Sequence, residues 1–226
     1  MFDRLELLIG KKSLNKLNNT HVLVIGLGGV GGYVVESLVR SGIGTITIVD
    51  SDTIDISNIN RQIIATRDNI GKLKTEEFKK RIKSIRDDIK INIISEFIDE
   101  SNIDLLFDKR IDFLVDAQDT IDTKCLIITK CLDKNIDFIT SMGTGNRMNP
   151  LDFEIVDLKK TKNDPVARIL RKYIKDNNIE GKINCLCSKE LPIRRGKVIA
   201  SNSFVPPTAG LIITSYIVNK IWEENK

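Results

Sequence analysis

The run Gly26-Leu27-Gly28-Gly29-Val30-Gly31-Gly32 constrains this chain more than any other, because it follows an apolar run at 22–25 and leads into a segment of helical period. Glycines remove the side chains that would hold a ligand off the backbone, and the N–H groups that open a helix carry partial positive charge. Strand, tight glycine turn and helix in that order make a phosphate cradle. A second β-branched run at 45–49 ends on Asp50, 24 residues after Gly26. A carboxylate there is placed to accept hydrogen bonds from ribose hydroxyls. Gly26, Gly28, Gly29, Gly31 and Asp50 are therefore the first candidate binding residues, and the expected ligand is a nucleotide.

The rest of the chain repeats the strand–helix rhythm. Short β-branched runs at 91–94, 113–115 and 138–140 alternate with helix-period segments at 32–41, 73–85, 102–107 and 121–134. Within 73–85, Phe78, Ile82 and Ile85 recur at i, i+4 and i+7 against a lysine-rich face, the spacing of a helix that covers a sheet. The pattern predicts an α/β, Rossmann-like doubly wound fold with a mainly parallel sheet. Beyond Gly145 the texture changes to a C-terminal β/α extension. Residues 153–156 read as a strand. Asp164-Pro165 supplies an N-cap and an N1 proline for a basic helix reaching 176. Residues 177–195, with Cys185 and Cys187 inside, read as a mobile polar loop, and 197–200 as another strand. Pro206-Pro207 opens a last helix whose apolar face is expected at Leu211, Ile212, Ser215, Val218 and Ile221, ending near Trp222, a packing or dimer anchor. One domain is expected over 1–226, with a nucleotide-binding core at 1–145 and a substrate-side extension at 146–226.

Composition narrows the class. At 226 residues, 41% hydrophobic and 29% charged, the chain can bury a core and is not a disordered polymer. No apolar stretch approaches the ~20 residues of a membrane span, and no cationic run leads into an apolar segment at the start. A cytoplasmic protein with reduced thiols is expected, its four cysteines forming no C-x-x-C pair. The formal charge of +4 is uneven: residues 159–197 hold 12 Lys and Arg against 4 Asp and Glu, so the remainder is net negative. A solvated helix face and a phosphate-backbone footprint both fit such an excess. The only histidine, His21, abuts the first strand and reads as packing or surface, while Asp112 and Asp116, flanking the fourth strand, read partly as solubility and capping residues.

A glycine fingerprint alone does not choose between a nicotinamide dinucleotide and ATP. The segment after Asp50 does, because Asp52, Asn58, Asn60, Arg61, Gln62 and Lys74 are more phosphate-binding groups than a dinucleotide's pyrophosphate needs. In a triphosphate site, Arg61 and Lys74 neutralise the charge that develops as pyrophosphate departs, and Asp119, after the fourth strand, supplies a carboxylate for Mg2+ at the switch-point crevice.

These motifs, Gly-x-Gly-Gly-x-Gly at 26–31, Asp50-x-Asp52, Asn58-x-Asn60-Arg61-Gln62, Gly71-x-x-Lys74 and Asp116-x-x-Asp119, resemble the adenylation core of the ubiquitin-activating-enzyme-like (ThiF/MoeB/HesA) superfamily. The resemblance implies ATP and Mg2+, with Asp50 on the ribose, Arg61 and Lys74 on the triphosphate and Asp119 on the metal. It also matches Arg4, in Phe2-Asp3-Arg4, to an N-terminal arginine near the phosphates. Asp119-Thr120, Ser141-Met142-Gly143-Thr144-Gly145-Asn146, Asp157-Leu158-x-Lys160-Thr161, Asp164-Pro165 and Phe204-Val205-Pro206-x-x-Ala209-Gly210-Leu211-Ile212 resemble one branch, the tRNA threonylcarbamoyladenosine dehydratases. That branch implies ATP-dependent cyclisation of threonylcarbamoyladenosine beside the tRNA anticodon, through an acyl-adenylate, by a homodimer, and leaves room for a sulfur-relay protein. The 185–204 stretch is shorter than in the branch, which bears on tRNA contacts from that loop. The alternative is an adenylyltransferase that activates the C-terminus of a ubiquitin-like sulfur-carrier protein. Members of that kind commonly hold zinc with two C-x-x-C pairs; no zinc is expected here. A nicotinamide oxidoreductase or a non-catalytic nucleotide-binding module is the third reading.

Overall fold

Among the described residues seven strands join in one sheet, because the segments between its first five apolar runs cross a face and return parallel. The computed structural model describes residues 1–193 and 198–224. The strands are β1 His21–Ile25, β2 Thr45–Val49, β3 Lys90–Ile94, β4 Phe113–Asp116, β5 Asp137–Ser141, β6 Phe153–Asp157 and β7 Asn184–Ser188, in the order β3-β2-β1-β4-β5-β7-β6. Every neighbouring pair is parallel except β6 against β7. The order reverses between β1 and β4, so their carboxyl ends frame the crevice that doubly wound sheets use for ligands.

The helices are α1 Asp3–Ile9, α2 Lys11–Asn18, α3 Gly31–Arg40, α4 Lys74–Ile85, α5 Ile121–Asp133, α6 Pro165–Asp176 and α7 Val205–Glu223. The period-2 alternation of strands divides the core. Val22, Val24 and Val115 face one apolar cluster with α3, α4 and α7, whereas Leu23, Ile25 and Leu114 face a second with α5 and α6. The α/β, mainly parallel, Rossmann-like fold expected from the sequence is the fold observed, and the sheet runs on through the extension by way of β7 and β6.

Several local expectations are corrected. The 177–195 stretch is not all loop: β7 lies within it, and Cys185 and Cys187 are buried on the sheet between β5 and β6. Their strand was hidden because asparagine, serine and cysteine flank a single leucine. Described residues 198–200 form no strand, and Lys197 lies outside the described residues. Helix α7 buries Ala209, Gly210, Ile213, Thr214 and Ile217 with Ile221, so the expected face is rotated and Leu211 is exposed. Close approach to α3 sets that rotation: a Cβ on Gly210 would lie 2.5 Å from Val30 O and 2.9 Å from Tyr33 Cβ. Residues 103–107 form a short 3-10 turn instead of a covering helix. Cys125 and Cys131 of α5 both enter the second cluster. Helices α1 and α2 had no counterpart in the sequence reading. His21 is a packing residue: Nδ1 is 2.7 Å from Arg110 O and Nε2 2.8 Å from Thr47 Oγ1, and burial holds its pKa below the ordinary value.

Candidate nucleotide-binding site

The glycine loop closes around backbone. Gly26 has φ +86°, and a Cβ there would stand 2.6 Å from Gln118 N, so any other residue would be strained and would push away the chain that follows β4. A Cβ on Gly31 would lie 1.8 Å from Gly26 O. Hydrogen bonds from Gly26 N–H to Val49 O (2.9 Å) and from Ala117 N–H to Ile25 O (2.8 Å) tie the loop to the ends of β2 and β4. The cradle is thus built at the reversal of strand order.

Asp50 fastens this loop to the next element. One carboxylate oxygen accepts from Leu27 N–H at 2.7 Å and the other from Asp52 N–H at 2.8 Å. Lys74, 4% exposed, opens α4 and points its ammonium between two acids, 2.7 Å from Asp52 Oδ2 and 3.6 Å from Asp50 Oδ2. The chain from 52 to 74 can return here because Thr53 and Leu73 form an antiparallel bridge and Lys74 N–H bonds Asp52 O. Arg61 is held by its own loop, with Nη1 donating to Ser57 O (2.8 Å) and Asn60 Oδ1 (2.9 Å). Its stem lies over Gly29, Cγ being 3.3 Å from where a Cβ would stand, with Pro206 of α7 at 3.0 Å from the same point.

Other expected residues divide by task. Asn58 is used in loop shape: it forms a reciprocal cap with Asp55, whose carboxyl is held below its ordinary value by hydrogen bonds from Ser57. Asn60 Nδ2 donates to Ser201 O at 3.1 Å, joining the loop to the extension. Gln62 is buried beside Gly28, and among the described residues its Oε1 has no hydrogen-bond partner. Such an orphaned acceptor at the edge of a phosphate cradle fits a ligand that brings donors. Asp119 is exposed beside Gln118, whose side chain caps Thr120. Among the described residues no cluster of three metal-binding side chains exists. A single carboxylate suits Mg2+, which usually takes one or two protein oxygens and completes its shell with water and substrate phosphates.

Arg4 stands apart. Residue Phe2 of the same segment lies against Gly42 and under the Arg86 guanidinium at 5.0 Å, while Leu5 and Ile9 pack on the first core cluster. Gly42 precedes β2, so this region is at the amino-terminal edge of the sheet, opposite the glycine loop.

Sequence reasoning missed two buried ion pairs under and beside the crevice. Asp116, read as a capping or solubility residue, is fully buried at the end of β4 and pairs with Lys124 of α5 at 3.0 Å. Arg147 Nη2 pairs with Asp164 at 2.9 Å, and its Nε donates to Gly143 O at 3.0 Å. Asp164 also caps α6 through Ala167 N–H, as its place before Pro165 predicted. Arg147 had no sequence signal beyond its presence after the Gly143–Gly145 turn.

The glycine loop, Asp50, Lys74 and Arg61 gather where the strand order reverses, the place at which doubly wound α/β proteins take their ligands. Residues 2–212 match the ThiF family, and the chain belongs to it. It is 37% identical over 235 residues to the tRNA threonylcarbamoyladenosine dehydratase of Bacillus subtilis, an alignment covering 96% of this chain and 92% of that one. Its fold is similar to crystal structures of the E. coli tRNA N6-threonylcarbamoyladenosine dehydratase TcdA. The complex with AMP gives a TM-score of 0.94 at 30% identity, covering 99% of this chain and 94% of the other. The complex with ATP gives 0.93 at 31% identity, with the same coverage.

Proposed function

We propose that this protein uses ATP to cyclise threonylcarbamoyladenosine in tRNA, losing one water from the modified base. The observation that carries the reading is the convergence of the glycine cradle, Asp50, Lys74, Arg61 and Asp119 on one crevice, in a chain similar along nearly its whole length to dehydratases of this kind. In the first step an oxygen of the threonyl carboxylate attacks the α-phosphorus of ATP, and the bond to pyrophosphate breaks. Arg61 and Lys74 offset the charge that gathers on the departing pyrophosphate. Lys74 is stored between Asp50 and Asp52 and is exchanged onto phosphate when nucleotide binds. Asp119 would hold Mg2+, which supplies charge neutralisation to the triphosphate. In the second step the carbamoyl group of the same side chain attacks the acyl carbon, a five-membered ring closes, a proton passes to solvent and AMP leaves. Proximity within one substrate replaces an enzyme nucleophile, in keeping with the burial of all four cysteines.

In this reading residues 1–145 handle the nucleotide and 146–226 the RNA, and the protein works in the cytoplasm as a homodimer. Arg4, at the far edge of its own sheet, reaches phosphates only if a second copy presents it. Among the described residues no helix is long and apolar enough to cross a membrane. The test is mass spectrometry of nucleosides from threonylcarbamoylated tRNA incubated with protein, ATP and Mg2+. A product lighter by one water, with AMP and pyrophosphate released, is expected. Unchanged nucleosides, or adenylation of a Gly-Gly-ended carrier protein instead, would overturn the reading.

A further inference from the structure

Residues 159–176 hold seven Lys and Arg against two Asp, and one of those, Asp164, is neutralised internally by Arg147. Helix α6 sorts this charge. Ala167, Leu170 and Ile174 enter the second core cluster, which turns Arg168, Lys172 and Lys175, at i, i+4 and i+7, together toward solvent. Lys159, Lys160 and Lys162, on the segment leading to the helix, are exposed as well. Arg171 leaves the set: it is half-buried, with Nη1 donating to Thr161 O at 3.0 Å. Among the described residues none of the six exposed cations forms an ion pair. Most cations on the outer face of α4 behave differently, since Lys80 pairs with Glu77, Arg81 with Glu36, and Lys83 donates to the Asp87 and Ile89 carbonyls, Lys79 being the exception.

The placement of this charge matters as much as its density. Arg147 ties the α6 N-terminus to Gly143, two residues beyond the end of β5. Strand β5 neighbours β4, whose carboxyl end leads to Asp119. The helix therefore starts at the carboxyl edge of the sheet, one strand from the crevice, and its stripe runs about 10 Å away from it between Arg168 and Lys175. Ile169 is the one large aliphatic exposed on α6. That is too little apolar surface for membrane insertion or for the core of a protein interface. Unpaired cations on a rigid helix suit a phosphate backbone, where contacts set position without reading sequence.

We propose that the Arg168, Lys172 and Lys175 face of α6 is the docking surface for the sugar-phosphate backbone of the substrate RNA. The inference rests on the tRNA reading and adds where the RNA lies: its body follows α6 while the modified base enters the crevice. The test uses the triple variant R168E/K172E/K175E, transcribed tRNA and a salt series. Wild-type protein should bind tRNA with a steep salt dependence. The variant should bind roughly ten- to a hundredfold more weakly, with a log–log slope shallower by about 2 to 3, one phosphate contact per cation. Its ATP affinity and melting temperature should equal those of wild type, and the control K79E/K80E/K83E on α4 should bind tRNA normally. Wild-type tRNA affinity and slope in the α6 variant would overturn this proposal while leaving the cyclisation reading intact. Equal losses in the α4 control would do the same, by showing a general charge effect. Failure of the wild-type protein to bind tRNA while binding anionic phosphatidylserine vesicles would instead overturn the tRNA reading itself.

Discussion

Lys124 holds its ammonium 3.0 Å from Asp116 Oδ2, with both side chains shielded from solvent. The ammonium also donates to Thr140 Oγ1 (3.2 Å) and Ser141 O (2.9 Å), and Thr140 donates to the same Asp116 oxygen at 2.7 Å. This network clamps the ends of β4 and β5 directly below the chain that carries Asp119. Breaking a buried pair leaves an uncompensated charge, so Lys124→Met should lower stability by about 3–5 kcal/mol in urea unfolding. Adding Asp116→Asn removes the stranded charge and should recover most of the loss. A wild-type midpoint for the single variant would show that the pair does not support the fold.

The parts of this molecule legible in the sequence are those governed by local chemistry. Five of the strands announced themselves as β-branched runs, and the Asp164-Pro165 start of α6 follows from capping alone. Gly26 was readable because close backbone approach admits only one residue type. Strand β7 was not, since Asn184, Cys185, Cys187 and Ser188 carry little β signal and its place is set by pairing with β5 and β6. Buried ion pairs were equally opaque: Lys124 and Asp116 are eight residues apart but meet only because helix α5 folds back on its own strand. The rotation of α7 depended on Gly210 meeting Val30 O, a contact across 180 residues of chain that no periodicity encodes.

Arg61 and Lys74, proposed above to meet the triphosphate, give the most direct test of the candidate site. Arg61→Ala and Lys74→Ala should each cost roughly 2–4 kcal/mol of transition-state stabilisation, read as kcat/KM for pyrophosphate release. Lys74→Ala should also loosen the 50–74 loop, because Asp50 and Asp52 then face each other without their shared cation. Asp119→Ala should abolish turnover with no change in melting temperature, its side chain being exposed. Full pyrophosphate release by that variant removes Asp119 from the mechanism. Asp50→Ala should weaken ATP binding, since it would hold the ribose in ground and transition states alike and it anchors Leu27 N–H. Unchanged ATP affinity would contradict that role.

Glu36 joins α3 to α4, accepting from Arg81 at 2.7 and 3.1 Å and from Arg40 at 2.8 Å. Burial alone pushes its pKa up, but the hydrogen bonds from Arg81 and Arg40 outweigh it and hold the carboxyl below its ordinary value of 4.5. A depressed folded-state pKa gives stability that is complete above 4.5 and is lost as the pH falls through the folded value. Glu36→Gln should therefore be less stable than wild type at pH 7 by roughly 1–3 kcal/mol. The gap should close in unfolding curves taken at progressively more acid pH. A gap that stays constant down to acid pH would mean that the carboxylate charge is not what binds the two helices.

Burial pushes the Cys125 thiol up to about 11 and the Cys131 thiol up to about 12, from an ordinary 9.0. Cys185 is raised as well, by its hydrogen bond with Cys187 and by burial. Thiolate is the reactive form, so all three should resist Ellman's reagent in the native protein at pH 8 and react fully once denatured. The same shifts set a stability trend. Groups whose folded pKa lies above the unfolded one stabilise the fold completely below the unfolded value and lose that contribution as the pH rises toward the folded value. Unfolding midpoints should accordingly decline from pH 9 upward, and the decline should be shallower in Cys125→Ala/Cys131→Ala, in which two of the titrating thiols are gone. Rapid labelling of Cys125, Cys131 or Cys185 in native protein at pH 8, located by peptide mass spectrometry, or an identical alkaline decline in the double variant, would place these cysteines in contact with solvent and reopen a role for them in the chemistry.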